Sequence, residues 1–405
     1  MGQTYHQICF FIKKLFFVNQ RNFSISILPI ICILPFISGI FVEYTKNIRE
    51  FIDTEAIVCA GQNVLAHVSP YAPAINCGRM IPARFVYPPI TARIESIIQS
   101  HIGSTGIVVI YGFIYFTIFL AIMRAALQKD HLLYWRAPFL LCFSASDFLS
   151  GNISTIFHGL LFFVAISSVA WPLLLWFTIV IAGIIKPTFV VYSCVFLFQR
   201  NLHIMHRLLL SCSSILAIGL ALGWTFYVDP TEFMQWLVRL HSVNTYSDFV
   251  QGHGFLASVE MFGIHNPKAE MMLYIPFAAA MLFAGLAIIR YAELSPESSI
   301  VLGISVCLLL YPRLLDYDEY TLPFGLAVIA MSFEKVKWPG RKWFRRIILG
   351  GCLTFALVGG LRGGIVLYWF SIFLLLALAT QLILQTYRTR GGWPNLYSGI
   401  NGKSA

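Results

Sequence analysis

The feature that most constrains this chain is a recurrence. Apolar runs close to the ~20 residues a helix needs to cross a hydrocarbon core return along its whole length. They read Phe23–Val42, Thr105–Met123, Leu208–Phe226, Met271–Arg290, Ile347–Leu361 and Gly364–Gln385. No water is present in a bilayer core to satisfy backbone groups, so each run must be helical. Only 11% of the 405 residues are charged and 58% are hydrophobic, against roughly 25% charged in an average soluble domain. The chain lacks the polar surface to cover a soluble fold, and no soluble domain is expected. The expected fold is all-α, a polytopic membrane helical bundle occupying residues 23–390 between cytoplasmic tails at 1–22 and 391–405.

One apolar stretch, Trp135 to Gln199, is too long for a single helix. It is punctuated at Gly151-Asn152, Pro172 and Lys186-Pro187, intervals too short for full spans, and four short helices fit it better than two long ones. Broken helices are tolerated where they border protein or a wet cavity. The total is about 12 spans, or about 10 on the two-helix reading.

A formal charge of +10 would suit a nucleic-acid partner, but its placement points elsewhere. Lys and Arg gather in alternate connections, at Arg124–Arg136, Arg200–Arg207 and Lys335–Arg346, while the intervening connections hold most of the acids. That is the positive-inside pattern, with both termini cytoplasmic. Anionic lipid suffices as partner for the basic loops, and no nucleic acid is implied. The first run lacks a small-residue cleavage site and reads as a retained helix in a plasma (bacterial inner) membrane, not a signal peptide.

Three outer segments follow from this topology: 43–104, 227–270 and 312–323. In the first, Thr54 to His67 has helical character, and a run of prolines then imposes turns. A second, amphipathic helix, Ile90–His101, suits the interface plane ahead of the next span. Cys59 and Cys77 both fall here, so a disulfide is allowed, although nothing else in the chain resembles a disulfide framework.

Asp53 stands at the exit of the first span. A carboxylate over a cavity at the membrane surface can take a proton from a hydroxyl, and burial would raise its pKa toward a useful value. The plainer alternative is a solvated loop acid such as Glu43 or Glu50. Lys186 is a cation inside an apolar stretch, where it either faces a cavity or snorkels to an interface. Asp147 is an intramembrane acid that suits either function or helix capping. His241, His253 and His265 stand twelve apart without metal-ligand spacing, so neither a metal nor any other cofactor is expected.

The string Asp53…Ala60-Gly61…Leu65…Pro70-Tyr71…Phe85-Val86-Tyr87-Pro88-Pro89 resembles the first outer loop of glycosyltransferase family 87, the polyprenyl-phosphate-mannose-dependent α-1,2-mannosyltransferases of the GT-C superfamily. Gly151-Asn152, Lys186-Pro187 after a small-residue helix, and a Pro312-containing outer segment follow in the family's order. The resemblance covers roughly Asp53 to Ser332. It implies a GT-C bundle and an inverting transfer of a hexose from a polyprenyl-phosphate donor to a lipid or glycan acceptor on the outer face. The matching position for the catalytic base is Asp53. Arg84, Tyr87, Arg93, Lys186 and Arg313 are the candidates for donor and phosphate contact. Asp316 and Asp318 are candidates for sugar hydroxyls; here Asp316-Tyr317-Asp318-Glu319-Tyr320 stands where many relatives carry a Trp-x-His pair, which leaves the sugar's identity open.

Two other classes share some of these features. A secondary transporter would use broken helices and the intramembrane Lys186 and Asp147, but predicts a symmetry between halves that the sequence does not show. Another cell-envelope polysaccharide enzyme would carry its long outer loop late in the chain, whereas here the long loop comes first.

Overall fold

The computed structural model describes residues 27–45, 51–72, 85–128, 130–143, 150–246, 252–312, 314–336, 341–358 and 363–390. Among these, every regular element is helical. Four helices are long and apolar enough to cross a membrane: Pro89–Leu127, Ile204–Val228, Pro267–Tyr291 and, within the last helix, Ile365–Arg388. Their outer faces carry large exposed apolar side chains such as Phe113, Leu209, Leu216, Met272, Phe283 and Phe373. Stripes of that size belong against lipid, and they make this an all-α membrane protein.

In chain order the helices are α1 (Ile27–Thr45), α2 (Ile52–Leu65), α3 (Pro89–Leu127), α4 (Leu133–Arg136), α5 (Ile153–Ser167), α6 (Pro172–Ile185), α7 (Ile204–Val228), α8 (Pro230–Tyr246), α9 (Phe255–Met261), α10 (Pro267–Tyr291), α11 (Pro296–Leu309), α12 (Leu322–Lys335), α13 (Arg341–Val358) and α14 (Gly363–Arg390). Three 3₁₀ segments join them: η1 (Ala137–Cys142), η2 (Pro187–Phe198) and η3 (Asp316–Thr321). Proline opens α3, α6, η2, α8, α10 and α11, the position where its missing N–H costs nothing. Side chains of Asn152, Asn266 and Ser295 cap α5, α10 and α11, each accepting from an otherwise orphaned backbone N–H.

The stretch from Trp135 to Gln199 is divided as its punctuation predicts, into the α4–η1 piece, α5, α6 and η2. What the sequence did not show is that η2 is 3₁₀ throughout. At about 2.0 Å of rise per residue, twelve residues reach roughly 24 Å, as far as sixteen would in an α-helix. Its four aromatic side chains, Phe189, Tyr192, Phe196 and Phe198, are completely buried.

Helix α3 is two helices in one. Gly103 has φ 73° and ψ 163°, a conformation that β-carbon sterics close to other residues. The break falls between the amphipathic segment Ile90–His101 and the apolar run Thr105–Met123. The first half packs along α2, where Gln99 donates to Val58 O (2.7 Å). At the centre, α11 is buried nearly all round, from Ser298 to Leu309, as an apolar helix without a polar face must be. It packs against η2, α5, α10, α12 and α14.

Basic side chains serve helix ends in the connections that lead away from the acidic loops. Arg136 donates to Ala126 O (2.7 Å) and Gln128 O (2.7 Å) at the end of α3, and Arg200 donates to Leu294 O (2.7 Å) beyond α10. Cationic donors suit the unsatisfied carbonyls at helix C-termini.

Candidate active site

Four helix termini converge, and each brings a polar side chain that its own sequence position explains. The first is the start of α2. Phe51 takes a left-handed conformation (φ 61°), turning the chain so that Asp53 N donates to Ser150 O (3.2 Å). The second is the start of α5. Gly151 has φ +63°, and a β-carbon there would stand 2.5 Å from the Phe51 ring and 2.7 Å from Thr54 Oγ1. Only glycine lets the two segments approach this closely. Its carbonyl accepts from Thr54 Oγ1 and Tyr111 Oη, both at 2.8 Å.

Asn152 then does two jobs with one amide. Its Oδ1 caps α5 by accepting from Ser154 N (2.8 Å), and its Nδ2 donates to Asp53 Oδ2 (2.8 Å). Tyr87, fixed by the Tyr71 hydroxyl on its own carbonyl (2.8 Å), donates to Asn152 Oδ1 at 3.5 Å.

The third terminus is the end of α6, where Lys186 is the C-cap and Pro187 forbids continuation. Lys186 Nζ donates to Ser154 Oγ (2.5 Å) and lies 3.9 Å from Asp318 Oδ1. It also sits over the rings of Tyr317 (5.5 Å) and Tyr311 (5.8 Å), an arrangement that favours a cation electrostatically. The fourth is η3, ahead of α12. It carries Asp318, which is fully buried and accepts from Leu315 N at Oδ2 (3.1 Å) and from His158 Nε2 at Oδ1 (2.8 Å). His158 Nδ1 in turn meets Tyr192 Oη at 2.6 Å. The Tyr320 hydroxyl donates to Thr155 O and pins η3 onto α5.

The two carboxylates are driven in opposite directions. Burial pushes the Asp53 carboxyl above its ordinary range, against the Asn152 hydrogen bond and the charge of Lys186. Burial pushes on Asp318 too, but there Lys186, the His158 hydrogen bond and the Leu315 N–H outweigh it, and the carboxyl is held below the ordinary range. Tyr87 is held well above its ordinary value by burial and by Asp53, so it stays a neutral hydroxyl. Two neighbouring acids of opposite tuning divide the roles between them, one to exchange a proton and one to remain a fixed charge.

No family model, curated protein or solved structure matches this chain. The site therefore rests on its own geometry.

Of the residues singled out from sequence, Asp53, Tyr87, Lys186 and Asp318 come together. Arg93 does not join them. It pairs instead with Asp229 (2.7 Å) and Glu232 (2.9 Å), tying the start of α3 to α8. Asp318 differs from its expected role as well. Both of its oxygens are taken by protein donors and it has no exposed surface, so it faces Lys186 and His158 and not a sugar. Arg84, Arg313, Asp147 and Cys77 lie outside the described residues, as does the side chain of Asp316; the Cys59 pairing falls with Cys77. Among the described residues no group of three or more His, Cys, Asp or Glu is placed to hold a metal ion. His253 reaches η3 from the second outer segment and pairs with Glu319 (3.2 Å).

Sequence reading missed His158, Ser154, Tyr192 and Tyr311. The signal for His158 was present, a lone imidazole in the apolar run of α5, and intramembrane ionisable residues deserve a partner. An open cleft is found away from this site. It lies between Tyr71 and the α8 face of Met234 and Val238, with Ser69, Gln235 and Arg239 at its polar edge.

Proposed function

We propose that this chain is an integral-membrane glycosyltransferase that moves a hexose from a polyprenyl-phosphate donor to a lipid or glycan acceptor at the outer face of the membrane. The observation that carries this reading is the meeting of Asp53, upward-tuned by burial, with a lysine that faces a second acid held below the ordinary carboxylate range. A sugar already linked to phosphate has a good leaving group, so the transfer needs one base and one phosphate contact, without the second reactive carboxylate that glycoside hydrolysis requires.

Asp53 takes the proton of the acceptor hydroxyl as its oxygen bonds to the anomeric carbon. The bond from that carbon to the phosphate oxygen breaks, and the polyprenyl phosphate leaves with the bonding electrons, its charge met by Lys186. A single displacement of this kind inverts the anomeric centre. Asn152 and Tyr87 hold the base in place, and fixed donors of this sort cost no reorganisation during reaction. The resemblance to family 87 supports GT-C as the architecture, while the run Asp316–Tyr320 in place of the family's Trp-x-His pair leaves the identity of the hexose open. Reading α1, α3, the α4–η1 piece, α5, α6, η2, α7, α10, α11, α12, α13 and α14 as successive crossings gives twelve. The basic residues then sit at the cytoplasmic end and Asp53 at the outer end.

The test is transfer by purified protein in lipid, with labelled polyprenyl-phosphate sugars and a membrane extract as acceptor source. Wild type transfers label and Asp53→Asn does not; equal transfer by both removes Asp53 as base. The buried run His158–Asp318–Lys186 in an apolar bundle also fits a proton-coupled transporter. Failure of wild type with every lipid-linked donor, together with uptake of solute into proteoliposomes on a proton gradient, favours that second reading.

A further inference from the structure

Five tyrosines around this site engage the protein with their hydroxyls. Tyr87 donates to Asn152 Oδ1 and Tyr111 to Gly151 O. Tyr192 meets His158, Tyr311 meets Thr188, and Tyr320 donates to Thr155 O. Tyr317 is different. Among the described residues its hydroxyl has no hydrogen-bond partner. Its side chain is only partly covered, and the oxygen is not one of the enclosed polar atoms left orphaned in the interior. The hydroxyl therefore reaches accessible space, and the groups that act on it are those of the site. Lys186 Nζ lies over its ring, 5.5 Å from the centroid. Burial and the charges of Asp318 and Asp53 hold its phenol well above the ordinary value, so it stays neutral, able both to donate and to accept. A largely buried polar group that the protein leaves unpaired calls for a reason.

The chemistry of the surroundings narrows what that reason is. An anion at this oxygen would meet the same two carboxylates that act on the phenol, whereas a neutral hydroxyl would not. A phosphate that meets Lys186 stands beside the ring, and the sugar bonded to that phosphate is then the nearest source of hydroxyls. We propose that Tyr317 is a substrate contact: its hydroxyl exchanges a hydrogen bond with a hydroxyl of the donor's hexose, and so takes part in choosing which hexose is transferred. The inference rests on the reading that Asp53 and Lys186 serve a sugar linked to a lipid phosphate. A site built to hydrogen-bond one substrate hydroxyl rejects analogues that lack it, because its own polar group is then left unpaired.

The experiment compares ligands that differ only in the sugar. Short-chain polyprenyl phosphates carrying mannose, glucose or no sugar are titrated against the full chain in lipid nanodiscs, without acceptor, for wild type and Tyr317→Phe. Affinity for the better-bound hexose lipid should fall about three- to tenfold in the variant, the range of one neutral hydrogen bond, while affinity for the bare phosphate changes less than about twofold. Donors lacking single hydroxyls then locate the contact. With one of them the tyrosine change should cost nothing further, because the partner is already gone. The variant loses an oxygen that serves no protein group, so its thermal unfolding should match wild type, whereas Tyr320→Phe, which releases Thr155 O, should unfold earlier. Equal losses for sugar-bearing and bare lipids, no loss for the hexose lipid, or an effect confined to the KM of the acceptor each overturn the proposal. A Tyr317→Phe that unfolds well below wild type overturns it too, since the hydroxyl would then serve the fold. If wild type binds none of the three lipids, the reading of a lipid-linked donor fails and takes the contact with it, an outcome distinct from a variant that binds them all as wild type does.

Discussion

Replacing Asn152 separates two effects that one amide combines. Its Nδ2 supports the ionised form of Asp53 at 2.8 Å, and its Oδ1 caps α5 at the Ser154 N–H, also at 2.8 Å. A hydrogen bond to a charged group is worth about 1.5–3 kcal/mol, and a helix cap about 1 kcal/mol. Asn152→Ser keeps a capping oxygen but has no donor that reaches Asp53, whereas Asn152→Ala loses both. Asp53 is already pushed above the ordinary carboxylate range by burial. Removing the amide takes away one of the two influences that oppose that push, so the carboxylate is protonated at still higher pH. As the base must be ionised, activity rises with pH through its titration, and the acid limb of kcat/KM moves upward in both variants. By the hydrogen-bond figure, the ionised fraction at a fixed pH below the limb falls roughly ten- to hundredfold. Thermal unfolding distinguishes the two variants: Asn152→Ser stays near wild type and Asn152→Ala loses about 1 kcal/mol. An acid limb that stays put or moves downward in Asn152→Ser refutes both the role of the amide and the assignment of Asp53.

Three further outcomes can be checked with the same preparations. Asp318→Asn removes a charge facing Lys186 and an acceptor of His158, and should destabilise the protein by about 3 kcal/mol, the lower end for a broken buried pair because the lysine keeps some exposure; thermal unfolding in detergent reads this directly. Gly151→Ala should cost about 1–2 kcal/mol for the left-handed backbone and about 1–3 kcal/mol more for the clash with Phe51 and Thr54; it should also lose transfer activity, because Asp53 and Asn152 are forced apart. Arg93→Gln breaks a half-exposed ion pair, so stability should change by less than ~1 kcal/mol, and the KM for the lipid-linked donor should not move; a rise of tenfold would restore Arg93 as a phosphate contact.

The parts of this molecule that were readable in the sequence are those governed by local chemistry. The long apolar runs locate α3, α7, α10 and α14. The punctuation at Gly151-Asn152, Pro172 and Lys186-Pro187 locates the short helices, and the change from amphipathic to apolar character marks the break at Gly103. Asp53, Lys186 and Asp318 stood out because each is costly where it lies. Their meeting was not readable, because Asp53 and Asn152 are 99 residues apart and His158 and Asp318 are 160 apart. The same blindness hid the ion pairs of Arg93, whose partners Asp229 and Glu232 are more than 130 positions away. His158 looked like one more core residue until its two partners gave each ring nitrogen a purpose. The 3₁₀ winding of η2 has no signature in its apolar composition, since periodicity cannot distinguish windings along a run that is buried on nearly every face.

The brevity of α6 bears on how a lipid substrate reaches the chemistry. Its fourteen residues extend about 21 Å, against the roughly 30 Å of hydrocarbon in an ordinary bilayer. On the proposed topology, with the N-terminal end of α6 at the cytoplasmic surface, Lys186 would lie about 9 Å beneath the outer headgroup plane. The leaflet must dimple there, or water must fill the hollow. On that reading, a headgroup that joins Lys186 leaves the level of its neighbours, and depth in the membrane becomes a selection step against lipids whose heads are too bulky to sink.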